Sequence, residues 1–363
     1  MFFRDIQTSF IAKTSESNPR NSEAAVIRCR DGSLFIVWQC FTKSKFGSGD
    51  QAPASLKCKR SYDNGRTWTD ERVLVEKSDD CVNLYSPNLI RLRDGSIALL
   101  YMKYIHLTSG EPQLSNIYIA KSYDECETFI ETRLITENDR FCMSNDCIRR
   151  LSSGRIVMPV TYHLGEMWAK TEHIYVTVLI SDDDMDTFRI AKGKVDLPMR
   201  GAMEPFIAQS ENGDLVMVMR SQLGSLFRSC SHDEGETWTK PQTTGLRIPE
   251  SCPFIFNVPS SRAMVVIWNN SEYDMNWRSH YGKRTPLTIA LTFDDGKTFK
   301  YLRDIETEPN TAFTNPGAIW LSDDELLVTY WTCPYNNEGA LSGPIDLKQA
   351  IIKIDRTMLP EGK

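Results

Sequence analysis

An aspartate-centred turn that recurs five times restricts this 363-residue chain more than any other feature. Ser61-Tyr62-Asp63-Asn64-Gly65-Arg66-Thr67-Trp68 returns as Ser231-His232-Asp233-Glu234-Gly235-Glu236-Thr237-Trp238. Looser copies begin at Ser122, Ser181 and Thr292 and end on Phe129, Phe188 and Phe299. Successive copies start 61, 59, 50 and 61 residues apart. In such a turn a short Asp side chain bonds nearby backbone N–H groups, and Gly supplies a positive φ. The Thr then begins a strand and the aromatic ring buries against it. Calcium binding is the other use of an acidic turn, but the spacing is not that of an EF-hand loop.

A second signal interleaves with the first. Six turns precede apolar runs rich in β-branched and aromatic residues: Arg30-Asp31-Gly32, Arg93-Asp94-Gly95, Ser152-Ser153-Gly154, Glu211-Asn212-Gly213, Pro259-Ser260-Ser261 and Ser322-Asp323-Asp324. Asp-Gly and Asn-Gly in that setting are strong hairpin signals. Six hairpins alternating with five strand-turn-aromatic units give about four strands per unit, the content of a propeller blade. Helical periodicity is nearly absent and no Gly/Ser- or Pro-rich linker divides the chain. The expectation is an all-β, six-bladed β-propeller over residues 1–363 as one domain. Short apolar strands at Ser9–Lys13 and Ala350–Ile354 are placed to complete one blade from both termini, which removes exposed sheet edges.

Composition excludes several partners. A net charge of -6 leaves no basic footprint for nucleic acid. No run approaches the ~18 apolar residues of a membrane span, and the first residues lack the basic and apolar regions of a signal peptide. Ten scattered cysteines without tight pairs fit reduced thiols in a cytoplasmic protein better than a disulfide framework. Cys142 and Cys147 are the closest pair, with no His or Cys at zinc-ligand spacing. No metal or organic cofactor is implied.

Repeated S-x-D-x-G-x-T-W turns at blade spacing resemble the Asp-boxes of the sialidase (neuraminidase) superfamily, and the resemblance runs over nearly the whole chain. It implies a glycoside hydrolase that removes sialic acid or another acidic sugar, so the expected partner is an anionic carbohydrate. Asp-boxes also occur on non-enzymatic propellers, so function rests on the channel residues.

The repeat locates those residues. Nine positions before the third residue of each hairpin turn lie Glu23, Ser86, Asn145, Glu204, Cys252 and Asn315. This ring, at the starts of the innermost strands, is the candidate floor of a pocket. Three arginines hold the substrate carboxylate in the family, since guanidinium forks suit a planar anion. Arg220, in Arg220-Ser221-Gln222, and Arg284, before Thr285-Pro286, resemble the second and third. Arg20 corresponds to the first, displaced by two residues. Asp50, eleven residues before Ser61, matches the family's acid/base Asp on a glycine-flanked loop. Glu204-Pro205 resembles the Glu that polarises the nucleophilic tyrosine.

There the pattern breaks. The tyrosine's place, on the innermost strand of the last blade, is Asn315, and an amide cannot form the glycosyl intermediate. Glu23 and Asp146 are spare carboxylates. His163 ends its strand at about the same offset from its hairpin as Arg220 does, and Asn145, Gln222, Trp268 and Asn269 complete the candidate set for sugar contacts. A lyase or a hydrolase of different specificity, or a carbohydrate-binding propeller without turnover, remain alternatives.

Overall fold

The computed structural model describes residues 1–105, 114–165, 172–277 and 279–359, with the side chain of residue 138 not described. Six antiparallel sheets follow one another as the blades of a β-propeller. The first blade runs outward through Arg20–Arg28, Leu34–Phe41, Ala54–Ser61 and Thr69–Val75. Leu34–Phe41 is buried at every position, whereas Thr69–Val75 is mostly exposed. That gradient follows from geometry: a second strand is covered on both faces by neighbouring blades, and a fourth strand faces water. The innermost strands touch one another around the ring, including Arg20–Arg28 against both Asn83–Arg91 and Thr311–Trp320.

The termini close the ring. The last blade consists of Thr311–Trp320, Glu325–Pro334 and Asp346–Ile354, with Phe3–Ala12 as its outer strand. Both termini complete one blade, as expected, but in a different register: Phe3 pairs with Ile354 and Thr8 with Ala350, whereas Ser9 pairs with Gln349 and Ala12 with Leu347, so Ser9–Lys13 does not lie against Ala350–Ile354. This closure explains why six blades carry five Asp-boxes. Each box joins a third strand to a fourth, and in the last blade that connection is the gap between the two chain ends.

The boxes follow the expected chemistry. Asp63 accepts from the Thr67 N–H at 2.8 Å and from its hydroxyl at 2.6 Å, while Ser61 Oγ accepts from the Gly65 N–H at 2.8 Å. Asp124, Asp183, Asp233 and Asp294 repeat the bonds to their own threonines. Cys126 and Met185 stand where Gly65 does, at φ of 73° and 77°, with fully buried side chains.

A repeated irregularity builds the channel. Glu23, Ser86, Asp146, Glu204 and Asn315 all adopt left-handed backbone, at φ of 49°, 51°, 50°, 43° and 51°. In the first, second, fourth and last blades the residue lies at a register shift of the innermost strand. A bulge adds one residue to a strand and re-aims a side chain, and left-handed non-glycine backbone costs about 1–3 kcal/mol. Five blades bear that cost at the same place, the channel.

Candidate active site

A cavity of about 650 Å³, the size of a small-molecule site, opens at the channel mouth. Arg20, Arg220 and Arg284, taken from the first, fourth and fifth blades, all line it and are all buried. Glu23, Ser86, Glu204 and Asn315 line it from the ring, joined by Asp50, His163 and Gln222.

Arg20 lies over the Phe41 ring at 4.2 Å and donates from Nε to Ser22 Oγ at 2.9 Å and from Nη1 to Asp50 Oδ1 at 2.6 Å. The loop carrying Asp50 is pinned from the second blade, where Asn83 Nδ2 donates to the Ala52 carbonyl at 3.1 Å and to that of Asp50 at 2.6 Å. Asp50 itself is largely exposed, with 71% of its side chain open to solvent.

Glu23 accepts from Ser86 Oγ at 3.1 Å, and its carboxyl is 3.8 Å from Arg20 Nη2. Burial pushes this carboxyl up to about 7; nearby Arg20 opposes the shift, and Asp50 and Glu204 add to it. Glu204 lies 3.0 Å from Arg220 Nη1, and its N–H donates to Thr161 Oγ1 at 2.9 Å. Asn315 Oδ1 accepts from Trp331 Nε1 at 3.1 Å, so an indole orients this amide.

Among the groups not anticipated are Glu250, Arg200 and Glu172. Glu250, buried on the segment leading into the fifth blade, is 3.2 Å from Arg220 Nη2 and 3.0 Å from Arg200 Nη1, and accepts from Gln222 Nε2 at 3.3 Å. Its backbone carbonyl accepts from Arg284 Nη2 at 3.2 Å. One residue thus gathers three guanidinium groups. Arg200 also reaches Glu172 Oε1 at 3.0 Å, and Glu172 Oε2 is 2.8 Å from His163 Nδ1. The two arginines, foremost Arg220, hold the Glu250 carboxyl below its ordinary value against its burial.

Arg284 differs from the rest. Among the described residues no carboxylate lies within ion-pair distance of it. Burial, and then repulsion from Arg220, pull its pKa down to about 10. Among the described residues the buried Nε–H groups of Arg200, Arg220 and Arg284 have no acceptor. A buried donor or cation left in that state is costly, and an anion in the cavity would relieve it.

Four expected contacts lie elsewhere. Trp268 is wholly buried against Phe299, at 6.5 Å between ring centroids, and so presents no face to a sugar. Its neighbour Asn269 is buried with Nδ2 donating to the Phe313 carbonyl at 2.8 Å. Asn145 and Asp146 do not line the cavity but bind the channel wall. Asn145 Nδ2 donates to the Ala24 carbonyl at 3.0 Å, and Asp146 Oδ2 accepts from the Ala318 N–H at 2.8 Å, so the third blade is tied to the first and last. Burial raises the Asp146 carboxyl to about 6. Counting from the hairpin reaches Asn145, whereas the left-handed position is Asp146. The innermost strand of this blade is broken into Phe141–Met143 and Arg149–Arg150, which displaces the equivalence by one residue.

The chain matches the BNR repeat-like domain over residues 32–328. No curated protein sequence matches it. Among solved structures it resembles a protein of unknown function from Dyadobacter fermentans, with a TM-score of 0.74 and 17% identity over 96% of this chain and 99% of that one. It also resembles the NanB sialidase of Streptococcus pneumoniae, with a TM-score of 0.70 and 12% identity over 97% of this chain and 71% of that one. The Trypanosoma rangeli sialidase gives a TM-score of 0.70 and 13% identity over 96% of this chain and 59% of that one. At these identities the likeness establishes the fold, that of a sialidase-type propeller.

Proposed function

Because the chain belongs to the BNR repeat-like family, we propose that its cavity receives an acidic sugar and that the protein hydrolyses the glycosidic bond, as a glycoside hydrolase of the sialidase type. The carrying observation is Arg284, a buried cation beside Arg220 with no carboxylate partner among the described residues. In this reading Arg284 and Arg220 grip the sugar carboxylate, and Arg20 turns to it from Asp50. Asp50, on its exposed loop, gives a proton to the glycosidic oxygen as that bond breaks. Glu23 accepts the proton of an attacking water, a role suited to a carboxyl whose pKa is about 7. Glu204 stays on Arg220 and steadies positive charge developing at the anomeric carbon.

Asn315 favours a second reading, a different reaction on an acidic sugar such as a lyase step or hydrolysis of a non-sialic acid. A panel of fluorogenic sialosides, uronosides and neutral glycosides tests both. Turnover of a sialoside supports the first, turnover of a uronoside alone supports the second, and turnover of neutral glycosides alone overturns the anion site.

A further inference from the structure

The connection from the fourth blade to the fifth turns tightly at Glu250, where the Ser251 N–H donates to the Pro249 carbonyl at 2.7 Å. This is a three-residue γ-turn centred on the glutamate, and Pro249 stiffens its entry by fixing its own φ. The main chain is tied on both sides of the turn. The Ile248 N–H donates to the Gly224 carbonyl of the fourth blade at 3.3 Å, and the Glu250 N–H donates to the His280 carbonyl at 3.1 Å. His280 lies on the loop that leads to Arg284, and with Tyr281 it holds left-handed backbone, at φ of 56° and 50°. Such a strained tip persists only where its surroundings hold it, and the bond from Glu250 is one of the restraints.

The side chain continues the pattern. Glu250 Oε1 lies 3.0 Å from Arg200 Nη1 and 3.2 Å from Arg220 Nη2, while Oε2 accepts from Gln222 Nε2 at 3.3 Å. The Glu250 carbonyl accepts from Arg284 Nη2 at 3.2 Å. Both arginines assigned to the sugar carboxylate therefore rest an Nη2 on this one residue, Arg220 on its side chain and Arg284 on its main chain. With both carboxylate oxygens engaged, Glu250 is not placed to take a proton from a substrate. Nor is it the sole counter-charge, since Arg220 is also 3.0 Å from Glu204 and Arg200 is 3.0 Å from Glu172. Among the described residues no other one meets all three arginines.

Building on the acidic-sugar site proposed above, we propose that Glu250 is a positioning residue, which sets the separation and orientation of Arg220 and Arg284 for one ligand carboxylate and does so by its reach rather than its charge. A long arginine side chain is flexible, and fixing it before the ligand arrives raises affinity by removing an ordering cost from binding. A guanidinium held at one corner is also aimed at the others. The buried Nε–H groups of Arg220 and Arg284, which have no acceptor among the described residues, are thereby kept at the cavity wall.

Two substitutions separate reach from charge. Glu250→Gln keeps the length and an oxygen that accepts from Arg200 and Arg220, and removes the charge. Glu250→Asp keeps the charge and draws it back by one methylene. Calorimetry with free sialic acid is expected to show Glu250→Gln binding about as tightly as the unsubstituted protein. Glu250→Asp is expected to bind about 10- to 100-fold more weakly, the scale of one hydrogen bond to a charged group. The neutral reduced analogue is expected to bind all three proteins alike. The opposite order of the two variants, no loss in Glu250→Asp, or an equal loss for the neutral analogue overturns the proposal. Should Glu250→Asp fail to fold, weakened binding by Glu250→Gln overturns it alone. Sialic acid binding to none of the three proteins would count against the acidic-sugar reading, and crystal structures of the sugar-free variants then decide the role of Glu250. The guanidinium groups of Arg220 and Arg284 should stay in place in Glu250→Gln and shift in Glu250→Asp; a shift in the first or none in the second overturns the assignment.

Discussion

Arg20 donates to Asp50 at 2.6 Å, so the carboxylate proposed as proton donor occupies a fork proposed for the ligand. An ion pair with so exposed a carboxylate is worth about 0–1 kcal/mol, so a sugar carboxylate also held by Arg220 and Arg284 displaces it. Asp50→Asn is then expected to bind an acidic sugar about two- to fivefold more tightly, the scale of such a pair. The same variant loses turnover of sugars with poor leaving groups and spares activated aryl glycosides, which need little protonation. Calorimetry of the variant reads the first effect. Weaker binding there would show that Asp50 holds Arg20 in place rather than competing for it.

Arg284→Ala is expected to weaken binding of an acidic sugar by about 2–5 kcal/mol, the range for a desolvated charge pair, and to leave a neutral sugar little affected. Arg220→Ala is expected to do the same, and it also strands Glu204 and Glu250 without a shared cation. Binding curves for a sialic acid and its neutral reduced analogue separate a ligand role from a structural one. Equal losses for both sugars count against the anion site.

Glu23 gives the protein a pH signature. Its carboxyl rises from 4.5 to about 7 on folding, so the folded state keeps a proton that the unfolded state releases between those values. Its contribution to stability is therefore complete below about pH 4.5 and is lost as pH rises through about 7, on the order of 3 kcal/mol in all. Glu23→Gln removes that dependence. The variant is expected to gain stability over the unsubstituted protein at pH 8 and not at pH 4, measured by urea unfolding at both. A constant difference between the two proteins across that range would place the titration elsewhere.

Much of this was legible in the chain and some was not, for reasons that can be located. Turn chemistry is local, so the Asp-boxes and hairpins announced the blades, and counting back from the hairpins reached Glu23, Ser86, Glu204 and Asn315, all at left-handed positions. The count failed by one in the third blade because a broken inner strand is a tertiary event without local warning. Trp268 and Asn269 end a strand as Arg220 does, but their side chains meet the core rather than the cavity. Arg200 and Glu250 were missed because they lie four and two residues before their ring positions. Arg20 and Asn83, three residues before theirs, show that this upstream stretch also reaches the mouth. A second count at that offset was the available signal. Glu172 lies on a connection of no regular pattern, and only packing brings it to His163.

The Asp-boxes should bear on stability alone. Asp63 makes two bonds to Thr67 and accepts from Ser61 Oγ at 2.8 Å, and none of these residues lines the cavity. Asp63→Ala or Asp233→Ala is expected to cost about 1–2 kcal/mol and to leave turnover per folded molecule unchanged. Thermal unfolding beside active-site titration checks both halves. A large loss of turnover at unchanged stability would contradict the placement of these turns on the rim.

The last prediction follows from the proposed function and from Asn315, whose amide is held by Trp331. In the proposed reading a water reaches the anomeric carbon, and a group nearby takes its proton. Glu23 has the pKa for that task, whereas Glu204 is engaged with Arg220. A water-mediated displacement inverts the anomeric configuration and needs the acid and base carboxyls about 6.5–9.5 Å apart, whereas a covalent route retains configuration at about 5–5.5 Å. Proton NMR of the first-formed product should therefore show the anomer opposite to that of the substrate. Glu23→Gln should abolish turnover even of activated aryl glycosides, because these still require the base, and added azide should restore it with inversion. A retained anomer in the unsubstituted protein, with Glu23→Gln still active, would move the attack to Glu204 and leave Glu23 as a buried member of the channel wall.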